Sequence, residues 1–466
     1  MEPETRIRPI SSFGITPAQV QLMHDTALEL AERVGFLVRN NGVLRRLDGR
    51  PGLTVRGSRI HPGRKRMAQF LSTHRARHND PPTHPNSPPT LFVSDRPLHL
   101  VDDDLKSLRP FTTQDVIDGA KLVEMLRDKG VNGGVTGLPS DVPAPLAPFE
   151  QILIALRYGR NGGYSSHGFT LWHARYMEQI ARALGQPYSL GVWTPSPFRL
   201  EGNELEIVLA MEGRFTSLGV GSMPLMGITA PMSEQKTWIQ ALAETIGAAT
   251  ILAELYPGVP VDFWPHPKSA DLSTGGYGAG SPEWSLLDAL KYEILPFYGL
   301  RPPWGRCTSE GPAVPGAQAQ MERTAAYLSG YLQGYRFFDA GSLAGGDVFS
   351  PVQLFYDIET VQWCERYARG IAWRDRIEGL DRWIEIASSD RLFAEDPAEV
   401  ARMRQTYWTP RFFKPSTAGQ YIAVMPDAAR DALAEARRLI AAHQYEPDWK
   451  KLQEVQKIVD HARQNA

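Results

Sequence analysis

The stretch SEQKTWIQALAETIGAATILAELYPGVPVDFWPHP, residues Ser233–Pro267, decides the fold class of this chain. Its first part, Ser233–Leu255, has the length and apolar content of a long helix. After a short turn, VPVDFWPHP has the composition of a buried strand. A helix that leads directly into a strand is half of the alternation that builds parallel sheets.

Helix-to-strand steps of this kind recur from Phe111 onward, at a separation of roughly 27–43 residues. The spacing predicts seven strand–helix units, whose strands end near Gly137, His167, Thr194, Met223, His266, Cys307 and Asp339. Because seven is close to eight, we predict an α/β fold, a (β/α)8 TIM barrel, with Trp383–Ser388 as a candidate eighth strand. A doubly wound open sheet is the alternative, although no GxGxxG opens a helix after any strand.

The rest of the chain is predicted to extend this barrel. We assign residues 1–110 to an N-terminal extension of helix and short strands, 111–400 to the barrel and 401–466 to a C-terminal helical tail. Thr16 and Pro17 suit the N-cap and first turn of the first helix. Ser72–Thr90 is predicted to be a loop. Its histidines are His74, His78 and His84. No cysteine or paired carboxylate joins them at ligand spacing, so we predict no metal site.

Composition excludes several classes of protein. The 466 residues carry a net charge of −2, which does not favour nucleic acid or an anionic membrane as a partner. The only cysteines, Cys307 and Cys364, exclude a disulfide framework, and we expect a cytoplasmic protein. The N-terminus lacks an apolar signal core, and no apolar run is long enough to span a membrane.

In a barrel, the residues at the C-terminal ends of the strands form the active site. At the predicted strand ends these are His167, Trp193, Ser222, Trp264, His266, Trp304, Arg306, Cys307 and Asp339. Tyr277 belongs to the glycine-rich loop that follows His266, which is too long for a simple connection. No HExxH, P-loop, GxSxG or adjacent carboxylate pair is present, so metal-assisted hydrolysis, phosphoryl transfer and glycoside hydrolysis are disfavoured.

Aromatic faces with few polar groups suit an ammonium ligand, which cation–π contacts hold. The predicted substrate contacts are His167, Trp193, Trp264, His266, Tyr277 and Trp304, of which Trp264, Tyr277 and Trp304 form the aromatic box. Asp339 is predicted to be catalytic together with Arg306, which either pairs with it or clamps a substrate carboxylate. Each residue also has a structural alternative: Trp264 and Trp304 could pack under helices, and Cys307 could be an inert apolar side chain.

The order of motifs along the chain resembles the trimethylamine methyltransferase family, in particular its members that lack pyrrolysine. The similarity begins at ITPAQVQLMHDTALELAERVGFLV and is strongest at PLMGITAPMS (Pro224–Ser233), STGGYGAGSPE (Ser273–Glu283) and VPGAQAQMERT (Val314–Thr324). It reaches TYWTPRFF (Thr406–Phe413) and so covers most of the chain in one order.

The resemblance implies a (β/α)8 barrel that transfers a methyl group from an amine to the cobalt of a corrinoid. A separate small corrinoid protein carries that acceptor, so the chain needs no tightly bound cofactor, and we expect a homo-oligomer. Gly275, Gly276, Gly278 and Gly280 are then expected to let the backbone approach the substrate or the corrinoid closely.

Two departures from the family pattern bear on the substrate. The chain has only standard residues and so lacks pyrrolysine, which argues against trimethylamine as the substrate. Asp339 lies where the family often has a histidine. The predicted substrate is therefore a quaternary or otherwise methylated amine. A barrel that binds such an amine without catalysis, as a sensor or carrier, is the alternative. A lyase or hydrolase that uses Asp339 or His266 as its acid or base ranks below both.

Overall fold

The computed structural model describes residues 14–77, 87–160, 170–300, 311–370, 379–424 and 427–466. The strands predicted to end near His167 and Cys307 lie outside these ranges. The α/β class is confirmed, since helices and strands alternate over the predicted barrel region.

Helices make up most of the described chain. They are α1 (Pro17–Val34), α2 (Asn41–Leu47), α3 (Arg64–Arg77), α4 (Thr113–Met125), α5 (Ala147–Tyr158), α6 (Leu171–Ala183), α7 (Asn203–Ala210), α8 (Glu234–Leu255), α9 (Pro282–Ala289), α10 (Lys291–Ile294), α11 (Ala317–Gln333), α12 (Pro351–Ala368), α13 (Leu380–Ala387), α14 (Pro397–Thr406), α15 (Ala418–Val424), α16 (Ala428–Ala441) and α17 (Trp449–Gln464). The start of α1 is as predicted, because Thr16 and Gln19 form a capping box.

The strands are short. They are β1 (Phe36–Leu37), β2 (Leu53–Arg56), β3 (Arg59–Pro62), β4 (Thr90–Phe92), β5 (His99–Val101), β6 (Leu108–Pro110), β7 (Val131–Asn132), β8 (Ser189–Thr194), β9 (Ser217–Ser222), β10 (Leu225–Met226), β11 (Val261–Pro265), β12 (Lys268–Ser269), β13 (Phe337–Asp339), β14 (Ser342–Leu343) and β15 (Val348–Phe349). Strands β1, β3 and β2 form an antiparallel sheet in the N-terminal region, and β14, β15, β5 and β6 form a mixed sheet.

Two parallel sheets of three strands each carry the predicted alternation. In the first, β9 lies between β8 and β11, with Ser222 level with Thr194 on one side and Pro265 on the other. In the second, β4 lies between β13 and β7, with Leu91 level with Phe338 and Val131. The carboxyl ends of the strands within each sheet therefore lie at one edge.

The candidate eighth strand is wrong. Trp383–Ser388 lies almost wholly in helix α13, because Leu380, Trp383 and Ile384 repeat at the helical spacing, whereas the short alternation WIEIAS suggested a strand. The strand that completes the second sheet is β4 instead, although Thr90–Phe92 lies in the region assigned to the N-terminal extension. The loop predicted at Ser72–Thr90 is wrong at both ends, since residues 72–77 lie in α3 and Thr90 begins β4.

Helix α8 organises the first sheet. It packs against α1 and α3 on one side and against β9 and β11 on the other. This is why α8 carries buried apolar side chains on both sides. Gly247 allows α1 and β1 to approach, because a Cβ there would lie 2.4 Å from the Phe36 ring. The tail is not purely a surface feature: Leu452, Val455 and Val459 of α17 are buried in the same core.

Within the described ranges, no helix combines the length and the apolar character that crossing a bilayer requires.

Candidate functional site

Two tryptophans lie at the same level of the first parallel sheet. Trp193 of β8 and Trp264 of β11 both align with Gly221 of the central strand β9. A Cβ at Gly221 would lie 2.4 Å from Trp193 Cε3, and a Cβ at Gly219 would lie 2.0 Å from Trp264 Cη2. The glycines of β9 therefore leave the space that both indole rings occupy, and the rings form an aromatic wall over this strand.

His266 joins the wall. Its ring centroid lies 5.7 Å from that of Trp193, at an interplanar angle of 35°. Its backbone N–H donates to the carbonyl oxygen of Ser222 at 2.9 Å, which fixes the chain as it leaves β11. Three predicted substrate contacts, Trp193, Trp264 and His266, are thus brought together at the carboxyl ends of neighbouring strands.

A cavity of about 190 Å³ opens beside this wall. It is lined by Phe263, Trp264, Pro265, His266, Lys291, Leu295 and Leu300. Most of this lining is apolar or aromatic. Lys291 is buried and forms an ion pair with Asp288, so its charge is already compensated.

Glu244 of α8 is a buried carboxyl behind the ends of β8 and β9, and the sequence analysis did not identify it. It accepts hydrogen bonds from Ser196 Oγ at 2.7 Å, from the Phe198 N–H at 3.1 Å and from Gln240 Nε2 at 2.9 Å. Ser222 Oγ donates to the same carboxyl. Burial raises the pKa of Glu244, and these hydrogen bonds oppose the shift. A lone acid in the apolar run ALAETIGAATIL was the available signal.

A second carboxyl holds β8 itself. Glu204 of α7 accepts the backbone N–H of Trp193 at 2.5 Å. Burial raises the pKa of Glu204, and this hydrogen bond opposes the shift. Both ends of the aromatic wall are therefore fixed by main-chain hydrogen bonds, Trp193 through Glu204 and His266 through Ser222.

The glycine-rich loop folds on itself. The Gly278 N–H donates to the Ser269 carbonyl at 2.9 Å, and Tyr277 bridges to Ala270. A Cβ at Gly278 would lie 2.8 Å from Ser269 Oγ, whereas one at Gly276 would have no close contact beyond Thr274. The Tyr277 side chain is 53% exposed, and the ring contact that the structure gives it is with Trp284.

Helix α11 packs against this loop through Glu322. Gly280 has φ +89°, and a Cβ there would lie 2.2 Å from the Glu322 carboxylate; one at Gly311 would lie 2.6 Å from it. Gly275 has φ +72° and open space around it, so its requirement is conformational. Three of the four glycines predicted to face a ligand, Gly275, Gly278 and Gly280, thus have a local conformational or packing reason, whereas Gly276 has none.

Asp339 ends β13 and is 4% exposed. Its main-chain carbonyl accepts hydrogen bonds from Arg323 Nη1 at 3.2 Å and from the Tyr327 hydroxyl. Arg323 also pairs with Asp357 at 3.3 Å, and neither side chain of this pair is exposed. Burial raises the pKa of Asp357, and the guanidinium opposes that shift. Arg323 lies in the quoted motif VPGAQAQMERT, yet its role was not predicted.

The other predicted residues lie outside the described ranges. These are His167, Trp304, Arg306, Cys307, His78 and His84. The Asp339–Arg306 pair therefore stays a prediction. His74 lies on α3, buried against the Phe263 ring at 4.8 Å and 3.4 Å from Asp262 Oδ1. In the part of the chain that the structure describes, no three histidine, cysteine or acidic side chains are placed to hold a metal ion.

The glycines of β9 lead to the first testable prediction. Gly221→Ala should displace the Trp193 ring and cost about 1–3 kcal/mol of unfolding free energy, because overpacking forces side chains off their rotamers. Gly191→Ala on the adjacent strand β8 is the matched control, since a Cβ there meets nothing within 4 Å. Thermal unfolding and near-ultraviolet circular dichroism should change for Gly221→Ala only. Equal spectra and stabilities for the two variants would show that the glycine does not set the ring position.

Comparison with known proteins places the chain among methyltransferases. The model of the family described as trimethylamine methyltransferase (MTTB) matches residues 176–456. The trimethylamine methyltransferase MttB2 of Methanosarcina mazei is 25% identical over 279 residues, which are 59% of this chain and 56% of that protein. MttB1 of the same organism is 27% identical over 40% of this chain and 37% of its own length. The chain therefore spans about half or less of these two relatives.

A more extensive alignment joins a different methyltransferase. The glycine betaine methyltransferase of Desulfitobacterium hafniense is 21% identical over 373 residues, 76% of this chain and 77% of that protein. Among solved structures, the Methanosarcina barkeri monomethylamine methyltransferase (MtmB) covers 96% of this chain and 92% of its own, with 9% identity and a TM-score of 0.44.

Proposed function

Because the chain belongs to the trimethylamine methyltransferase family, we propose that it transfers a methyl group from a quaternary or otherwise methylated amine to the Co(I) corrinoid of a partner protein. The observation that carries the proposal is the aromatic wall of Trp193, Trp264 and His266, because an indole face attracts a diffuse ammonium charge more strongly than a Tyr or Phe ring does. The relatives named above as trimethylamine and glycine betaine methyltransferases support an amine as the methyl donor.

The proposal includes closure of the two parallel sheets into one (β/α)8 barrel. Sheet β13–β4–β7 and sheet β8–β9–β11 together give six strands. In chain order, the strand predicted to end near His167 falls between β7 and β8, and the strand predicted near Cys307 falls between β11 and β13. One strand in each gap makes eight, with β4 as the first.

Closure would put Asp339 on the same rim as the aromatic wall, since β8, β11 and β13 would all end at that rim. Asp339 is then proposed to offset the ammonium charge of the donor, with Arg306 as its partner or as the clamp of a substrate carboxylate. His167 and Trp304 would extend the wall from the strands beside it. The roles of His167, Trp304 and Arg306 rest on the predicted strand ends, and that of Tyr277 in the aromatic box rests on its place in the loop that follows His266.

The reaction requires little of the protein beyond positioning of the substrate. The carbon–nitrogen bond breaks, its electron pair stays on nitrogen, and a quaternary donor leaves as a neutral tertiary amine that needs no proton. The Co(I) corrinoid supplies the electron pair for the new carbon–cobalt bond. What this chain must do is orient the methyl–nitrogen bond and exclude water, and the indoles and the apolar cavity suit both tasks.

The loops beside the wall form the proposed docking rim for the corrinoid protein. Its exposed apolar side chains are Met223, Ile228, Met232, Leu272 and Tyr277. Their loops are linked by the parallel pair β10–β12, which holds the segment after β9 against the segment after β11. The four glycines of the loop would let its backbone lie close to the corrinoid.

A binding experiment tests the aromatic wall. Trp264→Ala should weaken the binding of a quaternary amine by about 30-fold, because a desolvated cation–π contact contributes about 2 kcal/mol. Calorimetry should be run in parallel with the uncharged analogue in which carbon replaces the ammonium nitrogen. The preference for the charged ligand should disappear in Trp264→Ala and persist in part in Trp264→Phe. If Trp264→Ala retains the full preference, the wall does not bind the cation.

A further inference from the structure

A long segment of the chain near its C-terminus leaves most of its side chains exposed and packs on α12 chiefly through Phe412 and Phe413. We name residues 380–423, which contain α13, α14 and α15, the arm. Among the side chains that the structure describes there, it buries those of Ile386, Asp396 and Phe412 and leaves nearly all the others exposed. By contrast, α16 and α17, which follow directly, bury regular apolar faces.

The exposed side chains of the arm are not those of a solvated surface. They include Leu380, Trp383, Ile384, Leu392, Phe393, Met403, Tyr407, Phe413, Tyr421 and Ile422. Leu380, Trp383 and Ile384 share one face of α13, at the spacing of a helix that packs on a partner. Isolated exposed apolar residues need no explanation, but a cluster of this size marks an interaction surface.

Specific contacts join the arm to the exposed end of α12. Arg382 Nε donates to Asp396 Oδ2 at 2.9 Å, which ties α13 to the start of α14. Arg366 Nε donates to the Thr406 carbonyl at 3.4 Å, which ties the end of α14 to α12. On α12, Trp363 and Tyr367 stack at 5.6 Å and extend the surface. We call the exposed apolar side chains of the arm, together with Trp363 and Tyr367, the apolar face.

The size of this face matches an interface between proteins. Five of its aromatic residues, Trp363, Tyr367, Trp383, Phe393 and Tyr407, are between 40% and 70% exposed. At roughly 150–250 Å² for a whole aromatic side chain, their exposed parts amount to about 500 Å² before any aliphatic residue is added. A standard interface buries about 800 Å² on each partner. The aromatic side chains of the apolar face alone therefore supply more than half of the area that a standard interface buries on one partner.

The charges around the face suit a copy of itself. The arm carries six acidic and six basic residues: all the acidic ones lie between Asp381 and Glu399, and four of the basic ones follow at Arg402, Arg404, Arg411 and Lys414. In a two-fold contact the same surface faces itself, so it must be self-complementary in charge as well as in shape. A strongly basic or acidic partner would select one sign instead. We propose that a second copy of this chain covers the apolar face of the arm, in a two-fold dimer.

Sedimentation velocity on the full-length protein at micromolar concentration tests the proposal. The wild type should sediment with the mass of two chains, and Trp383→Glu should raise the dimer dissociation constant by about 100-fold, as loss of an aromatic anchor does. Trp449→Glu is the matched control: Trp449 is 54% exposed on α17, Trp383 is 57% exposed on α13, and Trp449 lies outside the arm. That variant should remain a dimer.

Hydrogen exchange on the wild type keeps the test decisive if Trp383→Glu fails to fold. The backbone amides of α13 and α14 should exchange more slowly as the protein concentration rises through the dimer range. A monomeric wild type, a dimer whose arm exchanges at the same rate at every concentration, or a dimer that survives Trp383→Glu would each overturn the proposal. A monomer whose arm becomes protected only when a corrinoid protein is added would assign the face to that protein instead.

Discussion

Replacing Arg323 with methionine is expected to lower the free energy of unfolding by about 3–5 kcal/mol, since the change leaves the buried charge of Asp357 without its counter-ion. The guanidinium also donates to the carbonyl oxygens of Asp339 and Ser342 and to the Tyr327 hydroxyl at 2.8 Å. Urea denaturation measures the loss. Because the end of β13 depends on the same contacts, methyl transfer should fall with stability.

Two controls make this prediction specific. Arg402→Met breaks an exposed ion pair with Glu399, for which the expected cost is below about 1 kcal/mol. Adding Asp357→Asn to Arg323→Met should recover part of the loss, because an amide keeps the bonds to the Gly341 N–H and removes the unpaired charge. Equal losses for Arg323→Met and Arg402→Met would contradict the account of a buried pair.

The pH dependence of Arg323→Met has a definite sign. Burial already raises the pKa of Asp357, and removal of the guanidinium takes away the charge that opposes this rise. A carboxyl whose folded pKa lies above its unfolded value contributes stability below the unfolded pKa and loses it as pH rises through the folded pKa. The deficit of the variant should therefore be smaller in mildly acidic than in neutral solution.

Replacing Glu244 separates hydrogen bonding from charge. Glu244→Leu should cost about 3–5 kcal/mol, because it leaves the Phe198 N–H without an acceptor in the core, at about 1–3 kcal/mol. It also removes one of the two acceptors of Gln240 Nε2, which keeps the Thr229 carbonyl, and the Ser196 and Ser222 hydroxyls must find new partners. Glu244→Gln should cost far less, since its oxygen can accept from Phe198 and Gln240 while the serine hydroxyls accept from its amide. Chemical denaturation of the two variants gives the comparison.

The same pair of variants tests whether Glu244 positions the site. Ser222 links this carboxyl to the His266 backbone, so Glu244→Leu should raise KM for the amine, whereas Glu244→Gln should restore it. Thr250→Val is the control for a buried polar change on the same helix, because the Thr250 hydroxyl bonds only to the Ile246 carbonyl among its described contacts. If Glu244→Leu and Thr250→Val have the same KM, Glu244 is structural and not a positioning residue.

The buried carboxyl also predicts a pH effect on stability. Burial raises the pKa of Glu244 above its ordinary value of 4.5, so the folded state holds its proton more tightly than the unfolded state. Following the same rule of linkage, the wild type should lose stability relative to Glu244→Gln as pH rises from about 4.5 toward the folded pKa.

Sequence periodicity predicted the helices well because their caps and apolar spacing are local. The N-cap at Thr16 and the long, largely apolar helix α8 were both identified at the observed positions. The strands were harder. Phe337–Asp339 pairs with Thr90–Phe92 across the whole intervening chain, and nothing local to three residues reports such a partner. The six residues WIEIAS were likewise too few to distinguish a strand from a helix. Their helical period is apparent only when Leu380 is included.

The candidate site was predicted in part. Trp193, Trp264 and His266 follow from the rule that strand ends carry function, and the structure brings these three together. Gly219 and Gly221 were not singled out, since the need for a missing Cβ depends on rings from two other strands. Glu244 and Arg323 were missed because their partners come from distant segments, which only the fold assembles.

The most direct test of the proposed function is anaerobic methyl transfer. The protein is mixed with cob(I)alamin and, in separate reactions, trimethylamine, glycine betaine, carnitine, proline betaine or a choline-type amine, and methylcobalamin is followed by its visible spectrum. The account predicts methylcobalamin with at least one quaternary amine, and a slower rate with Trp264→Ala. Binding of these amines with no methyl transfer, even after the cognate corrinoid protein is added, would contradict it and identify a protein that only binds methylated amines.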